Sequence, residues 1–211
     1  MGKRRKSARR DERRGARRTG GKQPREVLDL IVEGATEKAY LQALLDYRYP
    51  GVFAPQWHRS GLGSRTSLKD LLDKARREER KGRCQEVIWV VCDVDKNEVH
   101  RDLLEKWRKV GAAHRSALQA VSIEGWFLQH LDTPARPTSS GEALRLVRNQ
   151  WTGYKKGHTI SEWLIAQTDR ACDRERSFLG RQRNDGVWPA DRSSQIPLLI
   201  DYLDERALAG T

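Results

Sequence analysis

A chain of 211 residues with a formal charge of +12 suits one domain and is long enough to bury a sizeable core. It shows no apolar run near the roughly 20 residues of a membrane span and no apolar leader core, so the expectation is a cytoplasmic protein with no membrane partner. Cys84, Cys92 and Cys172 are widely spaced and lack a CxxC pair; this argues against a disulfide framework and a zinc site and for reduced thiols.

The charge is concentrated at one end. Residues 1 to 25 hold twelve Lys or Arg against Asp11 and Glu12, leaving 29 basic and 27 acidic residues in the rest of the chain. Residues 1–24 show no apolar periodicity and read as a basic, disordered arm. Arg4, Arg5, Arg9, Arg10, Arg13, Arg14, Arg17 and Arg18 are its candidate nucleic-acid contacts, holding phosphates in a salt-sensitive way without reading sequence. Gly20-Gly21 and Pro24 mark the start of a domain over residues 25–211.

The first strand is expected from Val27 to Glu33, and a helix from Thr36 to Tyr47 with Tyr40, Leu41, Leu44 and Leu45 on one stripe. Val52 to Trp57 reads as a second strand. Gly61-Leu62-Gly63-Ser64 forms a loop, too short for a dinucleotide fingerprint, before a helix from Ser67 to Glu79. Glu86 to Cys92 is almost continuously apolar, the pattern of a central parallel strand covered on both faces, and it ends in Asp93-Val94-Asp95. Asn97 can cap a helix running to Val110. Ala117 to Val121 reads as a fourth strand leading through Ser122-Ile123-Glu124 into a helix. From about residue 135 the chain reads as helical, near Glu142–Gln150, Thr159–Leu179 and Ser193–Leu208. The alternation indicates an α/β fold with an open, mostly parallel, Rossmann-like sheet flanked by helices.

Ligands of such sheets bind outside the carboxyl ends of the strands, where Glu33, Asp93, Asp95 and Glu124 all fall. Asp93 and Asp95 stand two apart, so along a strand they face one way. Crowded carboxylates repel unless a cation sits among them, and hard oxygen donors suit Mg²⁺, which also binds phosphate oxygens. Taken singly, Glu33 can be a capping acid, Asp93 and Asp95 turn residues, and Glu124 a partner of a helix dipole. Taken together they favour a metal site and phosphate-ester chemistry.

The pattern resembles the Toprim fold, with a glutamate after the first strand and Asp-x-Asp after a later one. In finer detail it resembles the RloB-like family, Toprim-related proteins associated with restriction loci and abortive phage defence. The resemblance rests on Val32-Glu33-Gly34-Ala35-Thr36-Glu37 followed by Tyr40, on Trp89 to Asp95, on Ser122 to His130, and on Tyr154-Lys155-Lys156. The family usually carries Ser-Asn-Pro-x-Phe-Glu before Leu-Trp, which this chain compresses to Ser122-Ile123-Glu124-Gly125-Trp126.

The resemblance implies a Mg²⁺- or Mn²⁺-dependent endonuclease with one or two ions. Asp93 and Asp95 would hold the principal ion, with Glu33 completing that sphere or acting as general base. Glu37, one turn further on, joins the site or is a surface acid. Glu124, with Ser122, would hold a second ion. Lys155 would neutralise the scissile phosphate, with Lys156 as the adjacent substitute. Family context further implies an RNA (such as tRNA) or DNA substrate, a toxic effector role, and an ATPase partner on another chain, since no GxxxxGK[ST] occurs here. The sequence leaves a homo-oligomer open. Two other readings stand beside this one: a non-catalytic nucleic-acid- or partner-binding protein with a degenerate Toprim site, and a haloacid-dehalogenase-type phosphotransferase, against which Asn97 and the late position of the motif argue. The five histidines form no ligand cluster in sequence; His130 is expected to pack at a helix end, and His58 to lie at a strand end within reach of substrate.

Overall fold

The computed structural model describes residues 25–58, 66–84, 87–94, 98–111, 113–180 and 187–209. The basic arm with its eight arginines, the Gly61-Gly63 loop, and Asp95 and Asn97 lie outside the described residues.

Four parallel strands, β1 (Glu26–Val32), β2 (Phe53–Trp57), β3 (Ile88–Asp93) and β4 (His114–Gln119), form one sheet in the order β2-β1-β3-β4. Helix α1 (Ala35–Arg48) links β1 to β2, α2 (Leu68–Arg80) links β2 to β3, and α3 (Arg101–Val110), preceded by a short 3-10 turn over Glu98–His100, links β3 to β4. Sequence order reverses direction about β1 and β3, which places their carboxyl ends at the crevice of a doubly wound sheet.

The central strands are apolar because both faces are covered. Leu28, Leu30, Val32, Trp89, Val91 and Ala117 pack with α1 and the later helices, whereas Ile31, Val90, Cys92 and Leu118 meet Leu68, Leu71, Leu72 and Ala75 of α2 and Leu104 and Trp107 of α3. The alternation of these two sets along each strand is the period-two geometry of the pleat. Helix α2 begins at Ser67, whose hydroxyl accepts from the Asp70 N–H while the Asp70 carboxylate accepts from the Ser67 N–H. That reciprocal capping satisfies two donors a helix start otherwise leaves open.

Beyond the sheet come α4 (Ile123–His130), α5 (Ser140–Gln150), α6 (Glu162–Ile165), α7 (Thr168–Leu179) and α8 (Ile196–Ala209). The single long helix expected over Thr159–Leu179 is two, divided at Ala166-Gln167, where the Gln167 N–H bonds to the Leu164 carbonyl. Ser193 and Ser194, expected in the last helix, instead run along the outer edge of β4. Ala120 N–H bonds to the Ser193 carbonyl at 2.8 Å, Gln195 N–H to the Leu118 carbonyl at 2.8 Å, and Gln119 bridges Ser194 antiparallel. Nothing in their sequence marks them as extended; the open edge of β4 accounts for that course.

Candidate metal centre

Glu33 is the first residue past β1, and its backbone N–H still bonds to the Val91 carbonyl of β3 at 3.1 Å. Its Oε2 accepts from the backbone N–H of Asp93 at 3.1 Å, so the first and third strands deliver adjoining carboxylates. Gly34 then caps α1. A Cβ at Gly34 would stand 2.7 Å from Glu37 Oε2, and its absence lets the Glu37 side chain fold back over the helix start. Glu37 is 5 % exposed and therefore no surface acid.

The fourth acid comes from the other side. Glu124, in the first turn of α4, is wholly buried. Its Oε1 accepts from the Tyr154 hydroxyl at 3.0 Å and lies 3.2 Å from Lys156 Nζ. Its Oε2 is buried without a hydrogen-bond partner among the described residues, as is Ser122 Oγ. Between β4 and α4 the backbone passes through Val121 at φ +84°. A β-branched residue is a genuine outlier there, so the turn that presents Ser122 and Glu124 is strained.

Tyr154 and Lys156 sit in the connection after α5. The loop is pinned to α1 by the Gly157 N–H, which donates to Thr36 Oγ1 at 3.0 Å. Gly157 has φ +74°, and a Cβ on it would stand 3.0 Å from Ala35 Cβ. Both lysines are exposed, but Lys156 lines the cleft and pairs with Glu124, whereas Lys155, the lysine favoured from sequence, does not line it. Adjacent lysines cannot be told apart by motif; the pairing with Glu124 distinguishes them.

A cleft of about 830 Å³ opens over this group, lined by Glu33, Gly34, Thr36, Glu37, Asp93 and Lys156 among others. The electrostatics are those of crowded acids. Burial pushes the Asp93 carboxyl well above the usual carboxylate range, and the charges of Glu37, Glu33 and Glu124 push it further while Lys156 draws it back. Burial likewise raises Glu37, with Glu124 adding to the rise, against backbone hydrogen bonds at Glu37 and Gly34 and the charge of Lys156. Four carboxylates sharing one lysine hold an excess of negative charge that a divalent cation would relieve. The donors are all hard oxygens, and one buried Glu124 oxygen lacks a partner among the described residues, so the residues present fit Mg²⁺ or Mn²⁺.

Of the expected ligands, Glu33, Asp93, Glu37 and Glu124 come together, and Asp95 lies outside the described residues. Tyr154 stands in the sequence pattern only as the neighbour of two lysines; its hold on Glu124 could not be read there, because the two are 30 residues apart and meet only through the packing of α4 and α5. His130 is buried away from the acids. Its Nδ1 lies 3.1 Å from the Trp126 carbonyl and its Nε2 3.5 Å from the Tyr40 hydroxyl, and burial pushes the ring down to about 4.

A parallel α/β sheet with an acidic cluster at its carboxyl edge defines the class of protein. Within that class the chain belongs to the RloB-like protein family, whose model matches residues 30–203. The matched span takes in Glu33, Asp93, Glu124 and Lys156 and leaves out the basic arm. No curated protein and no solved structure matches the chain.

Proposed function

We propose that the protein is a Mg²⁺-dependent endonuclease that cleaves phosphodiester bonds in RNA such as tRNA, or in DNA. The observation that carries this reading is the meeting of Glu33, Glu37, Asp93 and Lys156 on one open cleft, with the buried Glu124 behind it paired to Lys156 and close enough to raise Asp93. Glu33, Asp93 and Glu124 would hold the metal, with Asp95 and Glu37 as the further acids of the site. When bound, the ion supplies charge neutralisation for the attacking and leaving oxygens of the phosphate.

The chain's own residues then have distinct tasks. Lys156, half exposed at the cleft, neutralises a phosphate oxygen and shields Glu124. Tyr154 fixes Glu124 by donating to Oε1, which leaves Oε2 for the site. Glu33, tied to the Asp93 backbone, is the carboxylate best placed to orient or deprotonate a water at the junction of β1 and β3. The basic arm would hold the nucleic acid without reading its sequence. Family membership supports a role as a toxic effector of phage defence working with an ATPase on another chain.

The test is incubation of the full chain with labelled tRNA, single-stranded RNA and plasmid DNA in Mg²⁺, Mn²⁺ or EDTA, beside Asp93→Asn and Glu33→Gln. Cleavage should require the metal and fall at least about 100-fold in each variant, since even outer partners of metal ligands are worth about 10- to 100-fold. Cleavage that survives EDTA and both substitutions would reject the proposal. Nucleic-acid binding with no cleavage of any substrate would establish a binding protein in its place.

A further inference from the structure

Asp29 interrupts the apolar run of β1 and is fully buried in the middle of the strand. A carboxylate so placed is costly unless it is paired or coordinates a metal. It lies about 13 Å back along β1 from Glu33, at about 3.3 Å per residue, on the side of the sheet covered by α2. His58, just past β2, brings Nε2 to 2.6 Å from Asp29 Oδ1. Cys84, in the connection from α2 to β3, completes the group, and the carboxylate oxygen, imidazole nitrogen and thiol sulfur all lie within 4.8 Å of one another.

We infer that Asp29, His58 and Cys84 form a second metal site, for a borderline divalent transition ion of the zinc class, separate from the all-oxygen cluster at the carboxyl edge. Three features favour this over a simple buried ion pair. The donors are one oxygen, one nitrogen and one sulfur, a set that suits zinc and not Mg²⁺. The three donor atoms already converge within 4.8 Å, and bonds of about 2.0–2.3 Å, which set ligand atoms about 3.3–3.8 Å apart, require the 2.6 Å Asp29–His58 contact to open by only about 0.7 Å. The other face of the histidine is also furnished: Glu78 Oε2 lies 3.9 Å from Nδ1.

Glu78 stands behind the ring at charge-pairing distance and is not a ligand. Its carboxylate, nearly buried, is already met by Lys74 at 3.0 Å, Arg83 at 3.3 Å and Lys81 at 3.5 Å. Three protein donors leave a fourth position for water, and Cys84 and His58 are both partly exposed, which gives an ion access from solvent. The site would tie β1, the end of β2 and the α2–β3 connection at one point. Sequence spacing concealed it because its donors come from three separate segments, 29 and 26 residues apart, with no CxxC or HxxxH pair.

The test uses the full chain, stripped with a chelator and titrated with Zn²⁺, and with Co²⁺ as a spectroscopic probe. One Zn²⁺ per chain should raise the thermal midpoint by about 5–10 °C when its concentration is a hundredfold above the dissociation constant. Co²⁺ should give a thiolate charge-transfer band that Cys84→Ser abolishes and Asp93→Asn retains. His58→Asn should lower Zn²⁺ affinity at least about 100-fold. A wild-type chain that gains neither stability from Zn²⁺ nor a thiolate band from Co²⁺ overturns the inference without recourse to any variant, and so does a band unchanged in Cys84→Ser.

Discussion

Asp93 shows how one side chain couples the site to the stability of the whole chain. Its folded carboxyl titrates above the unfolded value of about 4, because burial and three neighbouring acids disfavour its charge. The folded protein therefore keeps a proton that the unfolded chain releases, and stability from this group is lost as pH rises from about 4 towards the raised value. His130 works in the opposite direction between about 4 and 6.5, and it does so equally in wild type and Asp93→Asn. In EDTA, thermal midpoints from pH 5 to pH 8 should fall more steeply in wild type than in Asp93→Asn, and the variant should be the more stable of the two at pH 8. Mg²⁺ should remove the difference in slope; parallel curves in EDTA would show that Asp93 is not held in a crowded acid cluster. At this scale the sequence is most informative about charge. Glu33, Asp93 and Glu124 are identifiable because each acid follows an apolar strand, whereas the choice of Lys156 over Lys155 rests on a tertiary pairing with Glu124 that side-chain identity does not encode.

At the scale of elements, the turn from β4 into α4 carries the most consequence. Val121 holds φ +84° between a strand braced by Ser193 and Ser194 and a helix whose first turn contains Glu124. Strain of this kind costs about 1–3 kcal/mol, and Val121→Gly removes it while adding about 0.5–1 kcal/mol of unfolded-state entropy. Urea denaturation should find the variant as stable as wild type or up to about 2 kcal/mol more so, against the usual direction of Val→Gly. A loss above about 1 kcal/mol would show that the turn is not strained. Metal-dependent cleavage should fall, because Ser122 and Glu124 lose the rigid entry that aims them. The strands β1 and β3 are legible from their apolar runs, and α2 from Ser67 and its leucine stripe. The fourth strand is less so: its apolar run points to Ala117 to Val121, yet it occupies His114–Gln119. His114 and Arg115 look too polar for a strand, but His114 is buried by stacking on Trp107 with ring centroids 4.4 Å apart, and Arg115 lies 4.8 Å over Tyr202 of α8. Both are tertiary contacts that override local propensity.

For the whole molecule, charge and fold are separable. The described core lies wholly within β1 and the elements that follow it, while most of the net charge belongs to residues 1–24. Deleting residues 1–24 should leave the thermal midpoint unchanged and weaken nucleic-acid binding at low salt. The slope of log affinity against log salt should become shallower by about 0.9 for each duplex phosphate that the arm neutralises in the full chain. Equal affinities across a salt titration would exclude the arm from binding and assign it to the domain. The doubly wound order is readable from the alternation of elements, but a second metal site of mixed donors is not: oxygen donors cluster at strand ends where a motif reveals them, and Asp29, His58 and Cys84 meet only once β1, β2 and α2 are stacked.

The margins of the sheet bear on how copies of this chain could assemble. On one side the end of β4 from Leu118 to Gln119 is covered by Ser194 and Gln195, and on the other β2 is a five-residue strand with Pro55 at its centre, which has no N–H to offer a neighbour. Strands added from another molecule find little to pair with on either flank. Among the described elements, self-association is therefore favoured through helical surfaces over extension of the sheet.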